Sequence, residues 1–500
     1  MAQFVKLAPE ELKALRTVDS RLVSYNVEMT EVTGGTFWKA YTPEQIAGTE
    51  KFPAITGFHE LAGLMQWYDP IDTTNPRLIK LAKELGPAWM RVSGTWATKT
   101  YYDFDGKGLP ESGWQNRMTR EQWVNIIKFA DTIGAKLLIS VANCEGLHAA
   151  EEPWNPSQAE LIFNLSKELG HPIDAVEFTN EPNMMEITGF PAGYTAEHFR
   201  RDQDLFHKWV RENHPGTLIV GPCTTDSQAI KMGPDEAMGG AGIADAVGNC
   251  ATTDELMEGC TEKLDVFSYH YYNGISERLE SVMPDAHWPA DMAISESYLA
   301  MAGRCARVFA PFRDKYCPGG QMWVTESGDA GGGGNTWGST YMDVLRTLNE
   351  LGDFASVTDG VIFHNTLASS DYGFLQHGTF EPRPNYFAVL LWNTLMGTTV
   401  YDTGIEAAEG KRVYCHSRRD GKAGFAYLVI NNAEEATTVE IPGTAEVYAL
   451  TGSNGLRSGT MCLNGKELVL GENDALPELT PVTAEGTVEV APGSCTFIVI

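Results

Sequence analysis

Ala175-Val176-Glu177-Phe178-Thr179-Asn180-Glu181-Pro182 and Met322-Trp323-Val324-Thr325-Glu326-Ser327-Gly328 share one pattern. Each is a short run rich in apolar, β-branched or aromatic residues and stopped by a breaker, Pro182 or Gly328, so each reads as a buried parallel strand. Beside these two, at 175–181 and 322–327, six further runs have the same character: 22–29, 88–95, 136–143, 217–224, 265–273 and 360–367. Helical patterns lie between them. The segment 119–133 opens with a Thr119-x-x-Gln122 capping box and puts Trp123, Ile126, Ile127, Ala130 and Ile133 on one face. The segment 75–85 repeats Leu78, Ala82 and Leu85 and stops at Gly86. Eight βα repeats predict an α/β fold, a (β/α)8 TIM barrel over 21–397, with Glu181 ending strand four and Glu326 ending strand seven.

From 398 onward the hydrophobic period changes from 3.6 to 2. Gly424 to Ile430, Ala445 to Leu450 and Cys495 to Ile500 read as short strands, and Asn464-Gly465 as a hairpin turn. A separate β-sandwich over 398–500 is expected, and the segment 1–20, ahead of the barrel, is expected to add a strand to it.

Five hundred residues, 43% of them hydrophobic, suffice for a barrel of about 250 to 400 residues and a second domain. With 37 basic and 66 acidic residues the net charge is −29, which argues against nucleic acid, an anionic membrane or a long sulfated polymer as partner. A small anionic substrate held by local donors is compatible with it. The stretch from Met1 to Glu10 has no apolar run of signal-peptide length and no later run would span a bilayer, so with Met1 as the native start the expected location is cytoplasmic. Nine cysteines, an odd number without Cys-x-x-Cys spacing, predict buried free thiols rather than a zinc site or a disulfide framework.

The chemistry sits at the strand ends. In an eight-stranded barrel the C-terminal rim carries the catalytic side chains, so glutamates from two βα units converge on one pocket there. A pair of carboxyls is what glycoside hydrolysis requires. A single strand-end glutamate is more often a solvated charge, but Asn180-Glu181-Pro182, with a hydrogen-bonding amide before the acid and a fixed φ after it, and the glycines Gly331 to Gly334 behind Glu326 outweigh that reading. His270 and Tyr272 stand at alternate positions of strand six and share a face, with packing as the competing explanation. Trp96, Trp288 and Trp337 are candidates to stack a leaving group, against the default of core filling.

Several segments, in order and spacing, resemble the family 79 glycoside hydrolases, the β-glucuronidase and heparanase group of the (β/α)8 glycosidase clan. They are Asn75 to Leu78, Ala88 to Thr95, Thr179 to Asn183, His270-Tyr271-Tyr272-Asn273-Gly274, Glu326 to Gly334, Asp371-Tyr372 and Pro384-Asn385-Tyr386. The resemblance implies that Glu181 is the acid/base and Glu326 the nucleophile. It further implies that Glu28 binds sugar hydroxyls, that Asn180 meets the 2-hydroxyl, and that Gly332 and Gly333 amides with the Tyr372 hydroxyl hold a uronate carboxylate, a nest of donors needing no cation. The resemblance also implies that a tyrosine of strand six, Tyr272 or Tyr271, supports the nucleophile. Ser370 and His364 depart from the heparanase pattern, which has glycine and glutamine there. The chain also runs unbroken from Tyr101 to Thr119, and basic clusters for a sulfated chain are missing. A single-chain, retaining, exo-acting β-glucuronidase for small or oligosaccharide glucuronides is therefore expected, its carboxyls about 5 to 5.5 Å apart and no metal or organic cofactor required. The alternatives are a β-xylosidase or β-glucosidase of the clan, a heparanase-like endo-enzyme, and an inactive sugar-binding protein.

Overall fold

The structure, a computed structural model, describes residues 3–225 and 250–500. Eight parallel strands close into a barrel: β1 (Val23–Glu28), β2 (Trp89–Ser93), β3 (Lys136–Ser140), β4 (Ala175–Glu177), β5 (Leu218–Thr224), β6 (Val266–Ile275), β7 (Gln321–Gly331) and β8 (Ile362–His364), with β8 pairing back onto β1. The helices between them follow the sequence pattern. Arg120–Ile133 is capped by Thr119 and Gln122 and buries Trp123, Ile126, Ile127, Phe129, Ala130 and Ile133, while Pro76–Glu84 is capped by Asn75.

Two expectations about strand ends are corrected. Glu181 does not end β4, which leaves the sheet at Glu177, its last pairing being to Ser140. Glu326 does not end β7 either. Gly328 fails to stop that strand because β6 stays alongside it up to the Ile275–Gly331 pair, and a long ladder outweighs one glycine.

Side chains inside the barrel are layered. Trp89, Leu138, Ala175, Val220, Val266, Trp323, Val361 and Phe363 pack together at the N-terminal end, with Trp89 and Trp323 ring centroids 4.9 Å apart. Further along the same strands stand Asn26, Arg91, Ser93, Ser140, Glu177 and His270, all buried. An apolar plug thus closes one end and confines polar chemistry to the other, the rim where loops are free to shape a pocket.

The C-terminal region is a ten-stranded sheet in which the long strand Thr437–Gly452 pairs with three others besides the N-terminal Gln3–Lys6. A register break between Glu440 and Thr444 bends it, and Val5, Val413, Val429, Val439, Val447, Val490 and Ile498 are among the residues packed in the resulting core. Asn464 and Gly465, with φ of 50° and 80°, turn the hairpin Met461–Leu463 to Lys466–Glu467. The N-terminal segment supplies two strands, Gln3–Lys6 and the Met396–Asp402 partner Lys13–Thr17. The sheet is not separate: Tyr414, Leu428, Leu450 and Phe497 on its other face belong to the same hydrophobic cluster as the barrel helices. All nine cysteines are free thiols, and among the described residues no helix is long and apolar enough to cross a membrane.

Candidate active site

Arg91, from β2, organises the floor of the rim cavity. Its Nε donates to Glu177 Oε2 at 2.9 Å, Nη1 to Glu326 Oε2 at 3.2 Å, and Nη2 to Asn180 Oδ1 at 2.7 Å and His270 Nε2 at 3.3 Å. Burial opposes its charge, but Glu177 and Glu326 outweigh burial and hold it protonated. A guanidinium only donates, so His270 Nε2 accepts, and the neutral ring carries its proton on Nδ1. Burial lowers the His270 pKa to about 4, which keeps the ring neutral. Nδ1 lies 3.0 Å from Glu181 Oε1 and 3.6 Å from Glu326 Oε2, so one imidazole sits between the two carboxyls. The facing oxygens of Glu181 and Glu326 are within 4.8 Å of each other.

The two glutamates reach this point by different routes. Glu181 lies beyond β4 in the left-handed region, φ 44°, a conformation that costs a non-glycine residue on the order of 1 kcal/mol. Burial raises its pKa to about 7, with Arg91 pulling the other way. Glu326 is set by a bulge: Tyr269 pairs with Val324 and His270 with Glu326, so Thr325 is skipped. Glu326 Oε1 then accepts from the Tyr272 hydroxyl at 2.5 Å and from Asn365 Nδ2 at 3.5 Å. Asn365 Nδ2 also donates to the hydroxyls of Tyr272, 2.9 Å, and Tyr372, 3.1 Å, while its Oδ1 accepts from Asn26 Nδ2 at 3.2 Å. One carboxyl held protonated thus faces another that collects three donors, the division of labour an acid and a nucleophile need. Glu181, His270 and Glu326 also present a possible metal-ligand set, but Arg91 already supplies the balancing positive charge.

No protein-family model matches the chain. Heparanase-like protein 1 of Arabidopsis thaliana is 26% identical over 493 aligned residues, covering 86% of this chain and 85% of the relative. A hyaluronoglucuronidase of Hirudo nipponia is 25% identical, covering 86% and 90%. A baicalin-beta-D-glucuronidase of Scutellaria baicalensis is 30% identical over 48% of this chain and 46% of its own. The chain is a glycoside hydrolase with heparanase-like and glucuronidase homologues. In fold it is similar to a 4-O-alpha-L-rhamnosyl-beta-D-glucuronidase of Fusarium oxysporum, with a TM-score of 0.61 and 12% identity over the whole of both chains.

Around Glu181 and Glu326 lies a cavity of about 520 Å³, lined also by Glu28, Tyr272, Gly332, Asn365 and Tyr372. Glu28, at the end of β1, has its pKa pushed well above the usual range by burial and, next, by Glu326. Gly94 faces it: a Cβ there would fall 1.8 Å from Glu28 Oε2. Asn180 is buried and spends its Oδ1 on Arg91. Gly332 lines the cavity; Gly333 packs against Trp38, and its carbonyl accepts from Ser370 Oγ at 2.9 Å. The strand-six tyrosines are told apart by the pleat. Tyr272 meets Glu326, whereas Tyr271 points to the opposite face, its hydroxyl donating to Asn273 Oδ1, and is withdrawn as a site residue. Of the three tryptophans, Trp96 lines the cavity, while Trp288 and Trp337 are core residues 2% and 1% exposed. His364 lies outside the cavity, stacked on Phe374 with Nε2 at 2.6 Å from the Tyr372 carbonyl oxygen.

Arg91, Glu177 and Asn365 are the residues the sequence did not single out. A lone arginine inside the apolar run Trp89-Met90-Arg91-Val92 was the available signal, since a buried guanidinium demands acidic partners. Asn365 carried none, because its role depends on four other segments meeting it.

Proposed function

We propose that this glycoside hydrolase is a retaining, exo-acting β-glucuronidase whose leaving groups are small and largely apolar. The observation that carries the reading is the make-up of the cavity. Its lining includes Tyr372 and Gly332 together with the apolar Phe37, Trp38, Met65, Trp96, Met184 and Ile187, while Lys99 is the one basic side chain among its described lining residues. A sulfated or long uronate polymer would call for several cations along an open groove, and the net charge of −29 works against it. An apolar wall suits an aryl or alkyl leaving group instead.

In this mechanism Glu326 attacks the anomeric carbon as Glu181 gives its proton to the departing oxygen. Glu181, now a base, takes a proton from water, and that water displaces Glu326 from the sugar. The short separation of the two carboxyls supports retention, because inversion needs about 6.5 to 9.5 Å to admit the water. The Tyr372 hydroxyl oxygen accepts from Asn365, which leaves its proton for the uronate carboxylate, together with the Gly332 and Gly333 amides. Glu28 and Asn180 serve the ring hydroxyls.

The test is a panel of 4-nitrophenyl β-D-glucuronide, β-D-glucoside and β-D-xyloside, with a hyaluronan oligosaccharide as the polymer arm, and NMR of the first-formed sugar. We expect the glucuronide to lead by at least about 100-fold in kcat/KM, the value of two lost hydrogen bonds to a charge, and β-glucuronate to form first. Preference for a neutral sugar, internal cleavage of the polymer, or α product would each overturn the corresponding part.

A further inference from the structure

Arg278 follows β6, is 1% exposed, and lies with its guanidinium carbon 3.8 Å from the centre of the Tyr41 ring. It gathers three loops of the rim. Nη1 donates to the carbonyls of Gly334, 2.9 Å, and Gly332, 3.4 Å, in the loop after β7. Nη2 donates to Asp371 Oδ2, 2.7 Å, in the loop after β8, and to the Lys39 carbonyl, 2.5 Å, in the loop after β1. Tyr41 reinforces the knot, its hydroxyl donating to the Gly334 carbonyl at 2.8 Å. Ser370 completes it from the β8 side, donating to the carbonyl between those two, that of Gly333. All three glycines have left-handed φ, 87°, 93° and 81°, and Ser370 itself stands at φ 56°.

Every carbonyl of Gly332-Gly333-Gly334 is therefore tied to a side chain behind the loop. Flexible glycines alone would not hold a fixed set of amides, since glycine loses the most conformational freedom when ordered. Asp371, the residue before Tyr372, is anchored by the same guanidinium. We propose that Arg278 and Ser370 are positioning residues for sugar-carboxylate recognition: by holding the three glycine carbonyls and Asp371 they aim the Gly332 and Gly333 amides and the Tyr372 hydroxyl at one point in the cavity. Neither residue touches the substrate. This rests on the uronate reading given above, and Ser370, where the heparanase pattern has glycine, gains a role from it.

The decisive variant is Ser370→Gly, which removes the Oγ donor without straining a backbone at φ 56°. Its kcat/KM for 4-nitrophenyl β-D-glucuronide should fall about five- to tenfold, mostly through KM, and for the matched β-D-glucoside by less than about twofold. The inhibition constant of D-glucuronic acid should rise by the same factor as that KM, and that of D-glucose should not follow it. Arg278→Lys keeps the cation but cannot reach four carbonyl and carboxylate partners, so the same split should be larger, about 30-fold or more, in protein whose melting shows it is folded. If Arg278→Lys does not fold, Ser370→Gly decides alone. Equal losses on both substrates, or an unchanged ratio in Ser370→Gly with wild type still favouring the glucuronide, would overturn the positioning role only. Wild-type preference for the glucoside would overturn the underlying uronate reading instead.

Discussion

Tyr272→Phe isolates one hydrogen bond at one step of the proposed mechanism. The hydroxyl donates to Glu326 Oε1 at 2.5 Å, and its loss leaves Asn365 Nδ2 still bonded to Tyr372. A hydrogen bond to a charged group is worth about 1.5 to 3 kcal/mol, or roughly 10- to 150-fold in rate. Where that cost falls depends on the charge of Glu326. During attack the carboxylate loses its charge, so the bond weakens and its absence is little felt. When water displaces the sugar the carboxylate recovers its charge, the bond strengthens, and the Phe variant must do without it. Deglycosylation should therefore slow by most of the 10- to 150-fold, and with an activated aryl glucuronide kcat and KM should fall together while kcat/KM changes by only a few-fold. Stopped-flow release of the nitrophenolate should show a burst of about one equivalent. A parallel fall of kcat and kcat/KM with no burst would refute the reasoning and place the bond in the first step or in substrate binding.

The alkaline limb of kcat/KM should lie near pH 7, where the burial-raised Glu181 loses its proton, and should vanish in Glu181→Ala assayed with an activated aryl glucuronide; a limb that persists there belongs to another group. Tyr372→Phe should cost the glucuronide roughly one to two orders of magnitude in kcat/KM and the glucoside much less, and an equal loss would reduce Tyr372 to packing. Stability should peak near pH 6.5. On the acid side, His207, His270, His364 and His416 have folded pKa values lowered by burial to about 3 to 4, so the stability present above 6.5 is lost as pH falls toward those values. On the alkaline side, Glu31 is raised by burial to about 8 and Glu28 well above normal, so stability present at low pH is lost as pH rises through 8. Melting temperatures from pH 4.5 to 8.5 check this, and a monotonic trend would contradict it.

The barrel was legible because its signals are local. The Thr119–Gln122 box, the period of Trp123, Ile126 and Ala130, and eight apolar runs need no knowledge of what they pack against. The two glutamates proposed as catalytic were legible through their neighbours in sequence, but not where their strands stop. That is settled by pairing: β4 ends where its partner Ser140 ends, and β7 continues because β6 does. The choice between Tyr271 and Tyr272 turned on a pleat and a skipped Thr325, which shift by one residue on cues too weak to read from a single strand. Arg91 and Arg278 were hidden for another reason. Each acts by joining groups remote in sequence, Glu177 with Glu326 in one case and Lys39 with Asp371 in the other, and no periodicity records such meetings.

The first strand of the chain, Gln3–Lys6, lies parallel to Thr437–Glu440, and Lys13–Thr17 lies against Met396–Asp402. On the ribosome these segments emerge long before their partners. At about 5 to 20 residues per second the wait is roughly 20 to 90 s, time enough for the barrel between them to form while its opening residues still lack a sheet. Phe4, more than half exposed even in the finished fold, is then an unpaired apolar strand in search of an edge. The barrel matures early and the sheet on its far side late, so crowding among nascent copies would join chains through the β-sheet rather than through the barrel rim.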